Sequence, residues 1–600
     1  MKTKLFSTRT KSAWMPLLLC LSLAACGGGG GGGGSDSTAG IGDPDIPHGP
    51  NPDPTSPPSS NPPPVMPPAG LAFPDTSRPF LSLPASIADG SSVALECGQV
   101  YQGTLNLKNK SNVSVNTNGD CGLAVITPGQ PVSGWTQHQG NIYSAPLSFD
   151  AAQVVVDGQP VNKAHWPSRS QVWAAATSSS GNTLTHAMPN ADLAGATLVF
   201  RPNDWAIEAR RITAYSGNTF TLAANNNYAY GGIAPSGAVP FYVEGKLWML
   251  DEPGEWAVSN GRLYLWVADG GSPEGRTWAF PAAHGIEAND SRSVSIEGVR
   301  IYGAANGIHA LGAQNLRVSE VEIANVSENG IVNHGGSGLH VDGVTMRNVR
   351  HDGITVHWGG GKEVIQNSRI ASAGTVGMPA NSRAAINLTQ SSGARVLNNH
   401  VSHVGYIGIR VLAEANVLDN TVDGACMTLT DCGGIFTFAR DRQVLNVRIE
   451  GNTIRNVGPT QRFAWGIYLS EYANAVTVAN NTVSHVGNGM NLFNAHNLTI
   501  EGNRFSDSRQ AHIEITEDAS SGTVRNLRIT GNQFTTLKGE ENYRNSSNLG
   551  AASVAQFGAF ENNTYITNSS AFANFQGQLL NFSQWQSTTG QDQNSVLKAP

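Results

Sequence analysis

Ten positions mark out most of this chain: Gly285, Gly307, Gly330, Gly353, Ala385, Gly408, Gly434, Gly466, Gly489 and His512. Nine of them are followed by Ile, and Gly489 by Met490. The steps between them are 22, 23, 23, 32, 23, 26, 32, 23 and 23 residues. Self-similarity with a period in the twenties is the signature of a solenoid. The period constrains the fold, and the departures from it point to the site.

Each repeat reads Gly-Ile-x-apolar, a polar stretch, then apolar-x-apolar-x-x-Asn-x-apolar, as in GIYLSEYANAVTVANNTV from Gly466 to Val483. The apolar runs are short and alternate with period two, the pattern of half-buried strands. Several short strands per repeat, stacked rung on rung, predict an all-β fold, a parallel β-helix. The Leu/Asn consensus of a leucine-rich horseshoe is absent. A second series, Asn367, Asn399, Asn420, Asn452, Asn481, Asn503 and Asn532, predicts a structural ladder of amides at a bend. Glycine supplies 68 of 600 residues and charged residues only 14%. The net charge of −7 argues against a nucleic-acid partner.

The first 25 residues read as a secretory signal. Lys2, Lys4, Arg9 and Lys11 precede a short apolar core from Met15 to Leu23. Leu23-Ala24-Ala25-Cys26 resembles a bacterial lipobox, which implies cleavage before Cys26 and acylation of its thiol. Residues 26–72 hold an unbroken glycine run and a Pro/Ser-rich stretch. Neither can bury a core, so they form a tether with a reach of about 35 Å. We therefore expect a lipoprotein of a Gram-negative outer membrane, facing the periplasm or the cell surface. In such an oxidising compartment, Cys97 with Cys121 and Cys426 with Cys432 are candidate disulfides, with zinc as the alternative.

Residues 73–130 read as the cap and first solenoid turns. From 131 to 280 the period is lost, Trp becomes frequent and hairpin signals such as Asn260-Gly261 appear, which predicts an inserted β-rich accessory domain. Residues 281–535 carry the repeat, and 536–600 form a C-terminal cap. The combination of NIYSAPL, VVVDGQPVNKAHWPS, LDEPGEW with LYLW, and a following Gly-Ile solenoid resembles bacterial right-handed parallel β-helix carbohydrate-active proteins. It is most similar to the β-helical glycoside hydrolases with α-fucosidase and xylanase activities. The resemblance covers roughly residues 75–535 and implies a polysaccharide or oligosaccharide partner.

Three repeats are long just before the Gly-Ile strand. From ladder Asn to the next repeat start, Asn367 to Ala385 is 18 residues, and Asn420 to Gly434 and Asn452 to Gly466 are 14, against 8 or 9 elsewhere. Insertions at one corner of a solenoid lie side by side and wall one face. A groove is expected over that strand, from about Gly353 to Thr516. If Ile points inward, the outward pairs are Thr355/His357, Asn387/Thr389, Arg410/Leu412, Phe436/Phe438, Tyr468/Ser470, Asn491/Phe493 and Glu514/Thr516. His357, Asn387, Arg410, Phe436, Phe438, Arg440, Tyr468, Asn491 and Glu514 are the expected substrate contacts, with exposed aromatics stacking on sugar faces.

Glycosidase chemistry needs two carboxyls across the scissile bond, one protonated and one ionised. In the hydrolases that the chain resembles, a D-G-G-x-I-Y element and a G-I-Y-L-D-D element supply an acidic pair. DCGGIFTF matches the first at Asp431. GIYLSE departs from the second, with Ser470-Glu471 where D-D is usual. The expected pair is Asp431 and Glu471, with Asp352, His357, Asp441 and Glu514 in the second rank. A polysaccharide lyase acting on a uronate glycan is the alternative, with Lys362, Arg383, Arg410 and Arg440 as base and neutraliser. A non-catalytic polysaccharide-binding or adhesin lipoprotein is the third reading. No cofactor or metal is expected, calcium entering only with a lyase. We expect a monomer.

Overall fold

The structure is a computed structural model that describes Pro74 and residues 78–600, apart from 169–172, 204, 224–238, 375–383, 440–441, 459, 462, 518–522 and 546–548. Cys26 with its lipobox and tether, and the candidates Arg383, Arg440 and Asp441, lie outside the described residues.

Every rung of the solenoid contributes one strand to each of three parallel sheets. In one rung these are Cys432–Phe438 in sheet C, Val447–Glu450 in sheet B and Thr453–Val457 in sheet A. Each pairs in parallel with its equivalent one rung up: Ala464–Ser470, Asn474–Ala479 and Thr482–Val486. Sheets A, B and C reach 15, 13 and 14 strands, so the stack continues well past a single domain's usual sheet. The chain is a right-handed parallel β-helix. Alternation explains the strands: in Val447–Glu450, Val447 and Ile449 are buried while Arg448 is exposed. The repeat isoleucines Ile435, Ile467 and Ile513 are all fully buried. Each contributes about 1.5–3 kcal/mol of burial.

The small residue before each Ile has a steric cause. A Cβ at Gly408 would lie 2.4 Å from the carbonyl oxygen of Gly434 one rung away, and one at Gly353 would lie 2.5 Å from that of Ala385. The chain turns into sheet C there, and the rungs approach most closely.

The asparagine ladder runs from Asn399 to Asn563. The side chain of Asn399 donates to Asn420, and the pattern passes through Asn452, Asn481, Asn503 and Asn532 to Asn563 at 2.9–3.2 Å. The Asn367 assignment is corrected by one position. In register, Ser368 occupies the ladder site and its amide donates to Asn399. Asn367 instead accepts from Asn398, and both residues sit at φ 53° on the outside of the bend.

The helix is interrupted and then resumed. After Ala124–Thr127 in sheet A, the chain builds two eight-stranded sheets between Gln130 and Phe280, antiparallel apart from the parallel pair Gln159–Lys163 with Glu255–Ser259. Ile286–Glu287 then pairs directly with Leu105–Asn106, and Val299–Tyr302 with Ala124–Thr127. The two flanking rungs therefore stack as if nothing intervened. Trp278 and Phe280 pack on Tyr302 of sheet A, and Asn325 donates to the Gly158 carbonyl, seating the excursion beside the solenoid. Val199, Ile207 and Tyr242 join the solenoid's own hydrophobic core.

Both expected disulfides are present. Cys97–Cys121 and Cys426–Cys432 have Cα separations of 5.3 and 5.9 Å. At the far end, a helix over Phe582–Thr589 closes the stack. Asn581 and Gln584 form its capping box. Its Trp585 is fully buried, stacks on Tyr543 at 4.9 Å and donates to Asp592.

Candidate active site

The outer columns of sheet C have the register that the Gly-Ile phase predicts. Thr355, Asn387, Arg410, Phe436, Tyr468, Asn491 and Glu514 are consecutive partners, and Arg544 continues the column. His357 pairs with Thr389, Phe438 with Ser470 and Phe493 with Thr516 in the second column. Neighbouring rungs are about 4.8 Å apart, so side chains in a column touch.

They touch more tightly than an open floor would allow. Phe436, Phe438 and Tyr468 are only 8%, 6% and 2% exposed, which corrects the expectation of exposed aromatics. The cause is mutual packing. Phe436 meets Phe438 at 5.8 Å and Tyr468 edge-on at 5.2 Å. The Arg410 guanidinium lies over both phenyl rings, 5.7 and 5.9 Å from their centroids. Such stacking is the geometry of a cation–π pair. Asn491 accepts from Thr516 at 3.4 Å. The face is a consolidated aromatic–polar layer.

Asp431 stands at the entry of this layer, just before Cys432–Phe438 and its disulfide. It is half-buried. Its amide donates to the Phe463 carbonyl at 2.6 Å, and its carbonyl accepts from the Tyr406 hydroxyl at 2.8 Å. Its carboxylate accepts from the Tyr468 hydroxyl at 3.0 Å. Four restraints thus fix one acid: disulfide, amide, carbonyl and carboxylate.

Glu471 stands towards the other end of the strand. Sheet register pairs Cys432 with Ala464 and Phe438 with Ser470, so Glu471 lies level with Ala439, whose amide donates to the Glu471 carbonyl. Asp431 is at one end of the strand and Glu471 beyond the other. Adjacency of rungs suggested a pair, and the register puts the two residues beyond opposite ends of the strand Cys432–Phe438.

A different acid is linked to Asp431 through two rings. Trp465, in the strand Ala464–Ser470, donates from Nε1 to Glu514 at 2.7 Å, and its ring lies 4.3 Å from that of Tyr468. Two adjoining rings on one strand therefore hold Asp431 and Glu514. Trp465 and Tyr406 were not among the expected contacts. Their signal was present, an aromatic one or two positions before the repeat's small-Ile pair in FAWGI and GYIGI, but no spacing rule marks it as a donor to an acid's residue.

The remaining candidates scatter. Asp352 is fully buried, accepts from the Ala384 amide at 2.7 Å and from Asn387 at 3.3 Å, and so caps a turn. His357 is hydrogen-bonded to Thr389 through Nδ1 and to Thr355 through Nε2. Towards the N-terminal rungs, His284 and His309 stack at 4.1 Å. Burial and then the neighbouring His284 hold the His309 pKa below its ordinary value. Lys362 lies on the opposite corner, beyond the end of its sheet C strand. Among the described residues, no group of three or more His, Cys, Asp or Glu is placed to hold a metal ion.

Comparison with known proteins agrees with this architecture. The family described as a right handed beta helix region matches residues 284–454 and 428–587. Together these run from 284 to 587, which is 304 of 600 residues. No curated protein matches the chain. A solved structure described as a glycoside hydrolase is similar with a TM-score of 0.52 at 13% identity, over 76% of this chain and 88% of its own. The complex structure of XylC with xylose covers 86% of this chain and 82% of its own, at 10% identity and a TM-score of 0.38. Likeness at such identity speaks to fold, and the sequence match to more than half the chain settles the grouping: this protein belongs to the right-handed β-helix family.

Proposed function

We propose that the protein is a glycoside hydrolase that acts, as a monomer, on a glycan lying along the outer face of sheet C. The observation that carries this reading is the pair of carboxylates held by Tyr468 and Trp465. Asp431 accepts from one ring and Glu514 from the other, and the rings are 4.3 Å apart. Two acids, three rungs apart along the face and linked through these rings, are the groups proposed to do what hydrolysis needs. One gives a proton to the leaving oxygen, and the other activates water or attacks the anomeric carbon. Preorganised donors also keep a carboxylate from wandering, which favours a fixed approach to the reacting atoms. The neighbours described as a glycoside hydrolase and as a XylC–xylose complex are in keeping with a sugar substrate.

The lyase reading has less support. Of its four basic candidates, Arg410 is stacked into the layer and Lys362 is on the other corner. The anchoring reading stands on the lipobox alone. Replacing Cys26 by Ser is expected to move the protein from the membrane fraction to the soluble one.

The test is to incubate the protein with a panel of neutral and acidic polysaccharides, reading new reducing ends and the ultraviolet absorbance of an unsaturated uronate. Reducing ends without absorbance, lost in both D431N and E514Q, are the expected result. Absorbance rising together with reducing ends would make it a lyase. Binding without either product would make it a polysaccharide-binding protein.

A further inference from the structure

A second binding device sits away from the sheet C face, where the chain passes from sheet C to sheet B. The turn after Ile354–His357 reads Trp358-Gly359-Gly360-Gly361-Lys362. Trp358 is 58% exposed, whereas every other described aromatic except Phe463 falls below the exposed class. Exposing that ring costs burial energy that the protein could have recovered by turning it inward. Trp358 and Lys362 are also held in the left-handed region, at φ 54° and 67°. That conformation costs non-glycine residues of order 1 kcal/mol each.

Beside this turn lies a groove of about 580 Å³, lined among others by Ser293, Ser295, Asn315, Arg317, His340 and Lys362. Arg317 and His340 are direct partners on adjacent rungs of sheet B, and Val364 and Arg395 continue the same column. Arg317, Lys362 and Arg395 are exposed, and none of them has an ion pair among the described residues. Asp342 is 4.0 Å from His340 and already accepts from Gln366 and Asn367 at 2.8 Å. Further along the same sheet, Arg448 pairs with Glu450 and Arg528 with Glu501. Arg317 and Lys362, by contrast, line the groove without such an ion pair among the described residues.

We infer that this groove, together with the exposed Trp358 of the turn that supplies Lys362, is an accessory site for an acidic glycan. A rigid indole offers apolar area at low entropic cost, which suits the C–H face of a pyranose. Arg317 and Lys362 supply charge-assisted hydrogen bonds to a carboxylate or sulfate. Hydroxyls and the Asn315 amide line the rest of the wall. Neither feature alone specifies the ligand. A ring with cations one or two rungs away selects sugar that carries negative charge. The site is independent of the carboxylate pair on sheet C, so each reading can fail without the other.

The test uses the full chain carrying D431N, so that a bound glycan is not consumed. Oligogalacturonate and heparin oligosaccharides are titrated calorimetrically, with xylo-oligosaccharide as the neutral control. At least one acidic probe is expected to bind more tightly than the neutral one and to weaken with added salt. Whether it is the carboxylate or the sulfate probe identifies the anion. R317Q/K362Q is expected to lower acidic-probe affinity about tenfold while sparing the neutral probe. W358A is expected to weaken both. Thermal unfolding of each variant, unchanged for surface positions, separates lost binding from lost fold. Equal affinity for acidic and neutral probes, no binding of either acidic probe, or full acidic-probe affinity in R317Q/K362Q would overturn the proposal.

Discussion

Sheets B and C are built on the same rungs with the same alternation, yet their outward faces differ. On sheet C, outward Phe436, Phe438, Tyr468 and Glu514 are all less than 10% exposed. On sheet B, outward Arg448, Arg395 and Arg528 are exposed, and the ion pairs of Arg448 and Arg528 are of the surface kind. The backbone does not make this difference. Sheet C is preceded by the corner that carries the long insertions, and its columns hold rings and amides that pack on one another. Sheet B is bordered by the asparagine ladder, which needs a constant turn length and so admits no wall. One solenoid thus separates a consolidated face, suited to holding catalytic groups still, from a solvated face suited to charge recognition.

The sharpest way to break that contrast is at Asp431. D431N is expected to reduce turnover by about 10²–10⁴-fold. Its thermal unfolding should stay close to that of the unaltered chain, because the disulfide and backbone contacts of residue 431 remain. Activity retained in D431N would remove sheet C as the catalytic face. A step down is F436A, which should cost about 3–5 kcal/mol in denaturant unfolding, the price of emptying a packed layer. A cost under about 1 kcal/mol would mean that the ring stands on an open floor instead.

The third prediction concerns pH. His512, at the last of the repeat positions, is fully buried between Ser508 and Thr536, at 3.0 and 3.3 Å. Burial lowers its pKa to about 3. Between that value and its unfolded pKa of about 6.5, the unfolded chain binds a proton that the folded chain does not. Stability contributed here is complete above the unfolded value and falls as the pH drops, by up to about 1.4 kcal/mol per pH unit. Urea midpoints at decreasing pH should show this slope, and H512Q should flatten it. An unchanged slope in H512Q would assign the acid sensitivity to other groups. The smallest effect is expected on sheet B, where R448A should change stability by under about 1 kcal/mol. A larger loss would show that sheet B's ion pairs are structural and blur the contrast.

Much of the molecule was legible because its information is local. The Gly-Ile phase placed Thr355, Asn387, Arg410, Phe436, Tyr468, Asn491 and Glu514 in one column, and the pairing of the strands reproduces that order. Where the phase was read from a different mark, it slipped. Asn367 is one residue off the ladder, since an Asn also suits the left-handed position next to it. The pairing of Asp431 with Glu471 was read from a different signal. Motif adjacency says which rungs are neighbours, but it does not say that the acids stand at opposite ends of a seven-residue strand.

The sequence by itself determined the solenoid, its rung register and the inward or outward sense of each side chain, because period-two alternation and a recurring small residue are short-range signals. Only the tertiary structure decided that the sheet C rings close into a layer, that Trp465 reaches Glu514 two rungs away, and that Lys362 and Arg317 border one groove. Those contacts join residues from about 20 to 50 positions apart, and their distances depend on strand length, corner geometry and side-chain reach together. No repeat pattern encodes that sum.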